Sequence, residues 1–312
     1  MKISTKVHPP TKKSLLVDYL AGRFTYRPRA AWQELVEQGL VEHNGRVATV
    51  DTIIKQGDTL TTDIPDPDPP EANYHYTIVY EDEWLIGINK PPNLRVHGRG
   101  RFIHANLIHH IRHVRQPAYP TAELANRLDA HTTGVVVLTK DKDTVRRMNE
   151  LFRRRAVRKV YWAIVHGYVQ SPQGVIDAPI GQLPSLPGVY RYGCDLGAIK
   201  PKEAKTTFKR LQTVGDGYTL VELQPHTGRT HQLRVHMAYL GHPLVGDMLY
   251  QMDDATFLRY CDTPDTFPAP IIGRQALHCV RNQFPHPWRN GEMCLIEAPL
   301  PADMENLLKT KC

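Results

Sequence analysis

A guanidinium and a carboxylate two residues apart, Arg127 and Asp129, sit in a polar stretch that runs straight into the β-branched run Val135, Val136, Val137 and Leu138. That run, bounded by Gly134 on one side and Lys140 and Asp141 on the other, reads as a buried strand, so the charged pair lies in the loop that feeds it. Loops anchored on rigid elements are where chemistry is usually carried. A carboxylate placed there offers nucleophilic or charge-stabilising chemistry; taken alone, the pair reads as a solvated turn. Other candidates are weaker. His109, His110 and His113 lack a nearby carboxylate or cysteine to complete a metal set. His226, His231 and His236 are spaced by fives, which suits neither one helix face nor a zinc pair at i and i+4, and they are expected to be hydrogen-bonded structural histidines. With no phosphate loop, dinucleotide fingerprint or metal cluster in the sequence, the expected chemistry uses no cofactor and no metal.

The elements that must position these residues follow from periodicity and punctuation. Residues 14–63 read as a compact α+β unit, with a helix over 15–23, a second from Arg29, and short strands around the turn signals Asn44-Gly45 and Gly57-Asp58. Residues 64–73, rich in proline and acid, read as a semi-rigid linker. Beyond it, 77–80 and 84–89 read as a hairpin, and 106–115 as a helix with apolar Leu107, Ile108, Ile111 and Val114. After the central strand, Asp143 or Thr144 is expected to cap a helix whose apolar positions are Val145, Met148, Leu151 and Phe152. Its other positions carry Arg146, Arg147, Arg153, Arg154 and Arg155, followed by Arg158 and Lys159.

The strand that begins there holds Tyr161, Ala163, Val165 and Gly167. Residues 177–205 contain a Gly- and Pro-rich excursion, from Gly181 to about Pro201, with no chemistry read in it; the chain then returns to a strand-like KTTFKRL, and 218–223 is a further strand. It leads into PHTGRTHQLRVHMAYLGHPLVGDMLY, where Leu233, His236, Met237 and Leu240 share a helix face, Gly241 ends the helix and Pro243 prevents its resumption. Residues 304–309 form a terminal helix to which no role is given.

A chain of 312 residues with 41% hydrophobic content can bury a substantial core. The excess of 39 Lys+Arg over 32 Asp+Glu, net +7, favours an anionic partner. Cys194, Cys261, Cys279, Cys294 and Cys312 are odd in number and include no Cys-x-x-Cys pair, which argues against a disulfide framework or zinc ribbon and for a reducing cytoplasm. No apolar run is long enough to cross a bilayer, and the first apolar piece is interrupted by Asp18, which does not suit a secretory signal.

The stretch 125–141 resembles the catalytic motif of the RluA-type pseudouridine synthases, usually worded histidine-arginine-leucine-aspartate, two variable residues, then threonine-serine-glycine. Arg127, Leu128, Asp129, Thr132 and Gly134 match, with Asn126 in place of histidine and Thr133 in place of serine, each still a small hydrogen-bonding side chain. The resemblance recurs in order. Lys90, Pro91, Val96 and His97 match the segment after the hairpin, where Asn93 replaces the usual glycine and tolerates the same left-handed backbone. Tyr161 and its neighbours match the second motif. Gly228, Arg229, Thr230, His231, Gln232, Arg234, His236, Gly241, His242, Pro243, Gly246, Asp247 and Tyr250 match the third nearly throughout, and the closing segment 277–287 contains His278 and His286, expected to hold the sheet edge.

What the resemblance implies is an α+β pseudouridine synthase fold: a mixed, largely antiparallel sheet with flanking helices around a central cleft, over residues 74–312. Asp129 would be the nucleophile, Arg234 its basic partner, and Tyr161 the ring that stacks on the base and assists proton transfer at carbon five. Leu233 would pack in the pocket, and Arg127 would occupy the gap left by an extruded nucleotide. Arg153, Arg154, Arg155, Arg158 and Lys159, lying between two such motifs, are expected to contact phosphates. The partner is RNA, ribosomal or transfer, and the protein is expected to be a monomer. Residues 1–63 look like the small RNA-binding domain shared with ribosomal protein S4, against the alternative of a generic cap without a ligand; Trp32, Leu35, Val36 and Leu40 give its helical apolar face.

Two other readings compete. A glycosidase-like hydrolase also cleaves at an anomeric carbon but needs two carboxylates; the motifs supply one, Asp247 being read as a structural turn residue. An RNA-binding or ribosome-assembly protein without catalysis would have no need of Asp129, Tyr161 and Arg234 together.

Overall fold

The β-branched run is buried along its whole length on both faces, from Thr133 to Thr139, as a strand in the middle of a covered sheet must be. The structure, a computed structural model, describes residues 2–7, 13–24, 27–63, 71–98, 102–186, 189–215 and 217–310. Most of the expected linker, residues 64–70, and Cys312 lie outside them. Two compact units result: residues 1–71 with 97–109, and residues 72–96 with 110–312.

In the first unit the chain forms β1 (Lys2–Lys6), β2 (Ser14–Leu15), α1 (Leu16–Arg23), α2 (Arg29–Glu37), β3 (Val41–His43), β4 (Arg46–Val47), β5 (Ile53–Ile54) and β6 (Thr59–Asp63). The sheet order β1-β6-β3-β4 is antiparallel throughout. Helical spacing puts Leu16, Val17 and Leu20 of α1 and Trp32, Leu35 and Val36 of α2 into one core with Val41, Ile54 and Leu60. Asn44 and Gly45 both take positive φ, 50° and 79°, which suits a two-residue hairpin turn. The side chains of Asn44 and His43 and the Lys55 N–H converge on Asp58, and these hydrogen bonds, that of Asn44 foremost, hold its carboxyl at about 2.

The second stretch of chain forms β7 (Thr77–Glu81), β8 (Leu85–Lys90), α3 (Leu107–His113), β9 (Glu123–Leu124), β10 (Thr133–Thr139), α4 (Lys142–Arg153) and β11 (Arg158–His166). It continues through β12 (Gln173–Asp177), β13 (Ile180–Gln182), β14 (Tyr192–Gly193), β15 (Ile199–Lys202), β16 (Lys205–Val214), β17 (Tyr218–Pro225), α5 (Gln232–Tyr239), α6 (Met248–Gln251), α7 (Asp254–Asp262), β18 (Leu277–Pro285), β19 (Met293–Glu297) and α8 (Ala302–Thr310). The main sheet is ordered β12-β16-β17-β11-β18-β10-β8-β7, with β19 beside β18 and β9 beside β10. Among the described residues its only parallel pairing is β10 with β18, at Thr133↔His278 and Gly134↔Cys279. The fold is thus α+β with a mixed, mainly antiparallel sheet, as expected.

That parallel junction organises the site. Gly134 has φ +103°, and a Cβ on it would lie 2.2 Å from the Cys279 carbonyl oxygen, so only glycine lets the strands meet there. On the other side of β18, pairing with β11 jumps from Val160↔Arg281 to Tyr161↔Cys279. The extra residue is Val280 of β18, which bulges opposite the Val160–Tyr161 step.

Several local expectations are corrected. Asp141, rather than Asp143 or Thr144, caps α4, accepting from the N–H groups of both. β18 lies inside the sheet, so His278 holds its interior: it bonds Thr133 Oγ1 (2.8 Å) and the Ala298 carbonyl. His286 instead bonds Asp82 at 2.8 Å. Within 177–205, β13, β14 and β15 pair as a separate small sheet. The terminal helix also has a partner, because Asp303 takes two hydrogen bonds from Arg274. Among the described residues no helix is long and apolar enough to cross a membrane, and Cys194, Cys261, Cys279 and Cys294 are free.

Candidate active site

The loop that carries Asp129 is held by its own carbonyls. Thr132 N–H bonds the Asp129 carbonyl (3.1 Å), Leu94 N–H and Lys90 Nζ both bond that of Ala130 (3.2 and 2.8 Å), and Arg274 Nη1 reaches that of His131 (3.3 Å). Asn126 ties the entering segment to β10, with its amide donating to the Val135 carbonyl (3.1 Å) and accepting from Val137 N–H (2.7 Å). An amide supplies one donor and one acceptor at this spot, so the departure from histidine leaves no polar group unpaired. Thr133, the other departure, uses its hydroxyl on His278.

With the backbone clamped, the Asp129 side chain keeps about a third of its surface open, 34%. Arg234, on α5, donates from Nη1 to Asp129 Oδ2 at 3.2 Å. Its other two contacts go elsewhere: Nε and Nη2 bind Asp247 at 2.6 and 2.7 Å. Asp247 is therefore no mere turn residue. Burial opposes the Arg234 charge, but the hydrogen bonds and charge of Asp247, with Asp129 adding to them, raise its pKa above the ordinary arginine value. His231, the residue before α5, has Nε2 4.0 Å from Asp129 Oδ2 and Nδ1 2.9 Å from the Tyr250 hydroxyl. Of the two carboxylates near Arg234, only Asp129 is open; Asp247 is 2% exposed and occupied at both oxygens. A two-carboxylate hydrolytic mechanism has no second reacting group here.

Tyr161 is buried on the same side, in contact with Cys279 across the β11–β18 ladder and near enough to Asp129 to feel its charge. Burial first, then Cys279 and Asp129, push its phenol well above the ordinary value, so it stays protonated at neutral pH. Cys279 is pushed up to about 12, chiefly by burial, and is an inert thiol. Leu233 and Leu128 are buried, whereas Arg127 is exposed and has no side-chain partner among the described residues. Lys90 was not singled out for chemistry, yet it is wholly buried beside the loop, and burial, then the charge of Arg274, bring its ammonium down to about 7 against the pull of Asp129.

The basic run is not uniform. Arg153, Arg154 and Arg155 are exposed, and the first two share Glu150. Arg158 donates to Gln224 (3.2 Å). Lys159 lies two residues from Tyr161 and hence on the same face of β11, half-buried, with Nζ 5.8 Å from the Phe152 ring; burial lowers its pKa. Arg147 is stacked 3.8 Å over Trp288.

The residues that sequence reasoning passed over are Asp247, Lys90, Tyr250 and Tyr192. Tyr192 comes from β14, in the excursion, and its N–H reaches the Tyr250 hydroxyl (3.3 Å). Asp247 and Tyr250 stood in the third motif; their neighbourhood with Arg234 was the available signal.

A family model described as RNA pseudouridylate synthase matches residues 85–239. An uncharacterized RNA pseudouridine synthase of Synechocystis is 34% identical over 93% of this chain and 86% of its own length. Ribosomal large subunit pseudouridine synthase C of Vibrio cholerae is 31% identical, covering 93% of this chain and 91% of that protein. Among solved structures, human RNA pseudouridylate synthase domain containing 1 superposes with a TM-score of 0.59 at 25% identity, over 76% of this chain and 89% of that one.

Proposed function

The chain belongs to the RluA-type RNA pseudouridine synthases, isomerases that turn uridine in RNA into pseudouridine, and from that premise we propose that Asp129 is its reacting carboxylate. The reaction breaks the bond from C1′ of the ribose to N1 of uracil, turns the base and joins C1′ to C5; C5 gives up its proton to solvent and N1 takes one up, so atoms balance without an added group. What supports the role of Asp129 is one contrast: its carboxylate is 34% exposed and bound at Oδ2, while its neighbour Asp247 is 2% exposed. Arg234 then fixes the direction of that carboxylate, and Leu233 packs beside it as a pocket wall. The Tyr161 ring stacks on the base. Arg127, exposed and without a side-chain partner among the described residues, enters the gap left by the extruded nucleotide.

Of the basic run, the exposed Arg153, Arg154, Arg155 and Arg158 track the phosphates on this reading, whereas the half-buried Lys159 serves the pocket beside Tyr161, and the first unit adds S4-like RNA affinity. Ribosomal RNA is the proposed substrate, by the likeness to the Vibrio relative, with transfer RNA as the other arm of the test. The test is tritium release from carbon-five-labelled ribosomal and transfer RNA of cells lacking the protein. Wild type should release label from ribosomal RNA, and Asp129→Asn should release none while binding RNA normally. Wild-type turnover by a folded Asp129→Asn variant would remove Asp129 from the reaction; release from transfer RNA alone would move the substrate.

A further inference from the structure

His231 holds a backbone conformation that side chains other than glycine seldom take, φ 55° and ψ 18°, at the residue that begins α5, and its side chain makes no capping bond there. Strain of this sort persists only where the surroundings impose it, and it gathers at functional sites. Its result here is directional. The imidazole is turned so that Nδ1 meets the Tyr250 hydroxyl at 2.9 Å and Nε2 faces Asp129 Oδ2 at 4.0 Å.

The tautomer follows from hydrogen-bond bookkeeping. The Tyr250 oxygen accepts from Tyr192 N–H (3.3 Å), and among the described residues the acceptor near its own proton is His231 Nδ1. Satisfying that hydroxyl makes Nδ1 an acceptor and puts the imidazole hydrogen on Nε2. The rings of Tyr192 and Tyr250 stand edge-on to His231, at 76° and 90°, and close it in from two sides. Burial and the neighbouring Arg234 charge both lower its pKa, which keeps the ring neutral with that single hydrogen. Nε2–H and Arg234 Nη1 therefore approach the same oxygen of Asp129, while among the described residues Oδ1 has no donor.

We propose that His231 is a positioning residue: held in its Nε2–H form by Tyr250, it joins Arg234 in tying down Oδ2 of Asp129 and so leaves Oδ1 as the oxygen that meets the nucleotide. This rests on the reading of Asp129 as the reacting carboxylate. The separation is 4.0 Å, and catalytic contacts of this kind tighten in the complex with substrate. The Tyr250 hydroxyl acts through His231, and the Tyr192 N–H through that hydroxyl; the Tyr250 ring also lies 5.1 Å from the Arg234 guanidinium, a contact that Tyr250→Phe keeps.

The experiment measures kcat and KM on the full chain with labelled RNA for His231→Phe, His231→Gln, Tyr250→Phe, the double variant His231→Phe/Tyr250→Phe and Asp129→Asn, each first checked by a melting curve. His231→Phe and Tyr250→Phe should each lose about 10–100-fold in kcat, the scale of displacing a reacting group by an ångström, with KM within about twofold. The amide of His231→Gln can place an N–H near the Nε2 position, so this variant should recover most of the loss. The double variant should be no slower than His231→Phe alone, because residues acting through one another are not additive. A folded His231→Phe with wild-type kcat, or a double variant as slow as the product of the single losses, overturns the proposal. Should His231→Phe fail to fold, a folded His231→Gln as slow as Asp129→Asn overturns it as well. The underlying reading fails separately, through an active Asp129→Asn.

Discussion

Arg234 and Asp247 are joined by two hydrogen bonds of 2.6 and 2.7 Å, between a guanidinium and a carboxylate that are both nearly inaccessible to solvent. A two-point pair of this geometry fixes a guanidinium plane as well as a charge. Nη1 is thereby aimed at Asp129 before any substrate arrives. The sheet, α5 and the turn before α6 all contribute to one rigid donor, which is the kind of preorganisation a reacting carboxylate needs.

Loss of the two carboxylates should have unequal consequences for stability. Asp247→Ala strands a buried cation and should cost about 3–5 kcal/mol in denaturant unfolding, with activity falling alongside. Asp129→Asn leaves Arg234 paired, and because Asp129 is a third exposed its removal should cost less than about 1 kcal/mol. Equal destabilisation by the two would mean that Arg234 depends on both alike.

The Gly134→Ala change tests the strand junction. A methyl there meets Cys279 backbone atoms at 2.2 to 2.8 Å, in a backbone conformation with positive φ. Neither strand can yield alone, since Cys279 also pairs with Tyr161. Expected destabilisation is about 2–4 kcal/mol, with turnover lost more steeply than RNA binding because Asp129 and Tyr161 are displaced relative to each other. A variant with wild-type stability and turnover would show that the junction is looser than its distances.

Much of this arrangement was legible in the sequence and some was not, for reasons specific to the residues. Alternation and β-branched runs marked β8, β10, β11 and β17, because one buried face selects side chains with period two and two buried faces select a continuous apolar run. Motif wording brought out Asp129, Tyr161 and Arg234. It did not say which carboxylate Arg234 grips, since the pairing depends on how the turn before α6 folds back on α5. Lys90 is a residue type that sequence places on the surface; only the converging carbonyls of Pro91 and Ala130 make its burial tolerable. Tyr192 sits in an irregular excursion with no period to read, and Gly134 looked like a strand boundary until Cys279 stood against it.

Lys90 gives stability a pH dependence with a definite sign. Its ammonium titrates at about 7 when folded and near 10.5 when exposed. Between those values the unfolded chain binds a proton that the folded chain does not, so raising the pH from about 7 to 10.5 favours folding by about 1.4 kcal/mol for each unit. Below pH 7 both states are protonated and the whole cost is carried. Unfolding free energies of wild type minus Lys90→Met should therefore rise across that window by a few kcal/mol. The lost bonds to Pro91 and Ala130 add only a constant offset. A difference that does not change with pH would place the Lys90 charge in solvent.

The arginines after α4 make the last prediction, and the structure changes how it must be tested. Arg153 and Arg154 both lean on Glu150, so their charge is partly engaged in the free protein, whereas Arg155 is exposed at a positive φ of 57°. Exposed pairs of this kind contribute little to stability, so substitution should leave the melting temperature nearly unchanged and isolate the effect on RNA. Each lost phosphate contact lowers the slope of log affinity against log salt by about 0.7–0.9. Arg153→Gln/Arg154→Gln/Arg155→Gln should accordingly reduce the slope by about two, with turnover of saturating short substrate preserved. Lys159, half-buried on the Tyr161 face of β11, should behave differently: Lys159→Gln should lower kcat and leave the salt slope within about 0.3 of wild type. If the triple variant kept the wild-type slope while Lys159→Gln lost nearly one unit, the phosphate track would run along the face of β11 beside Tyr161 rather than over the end of α4.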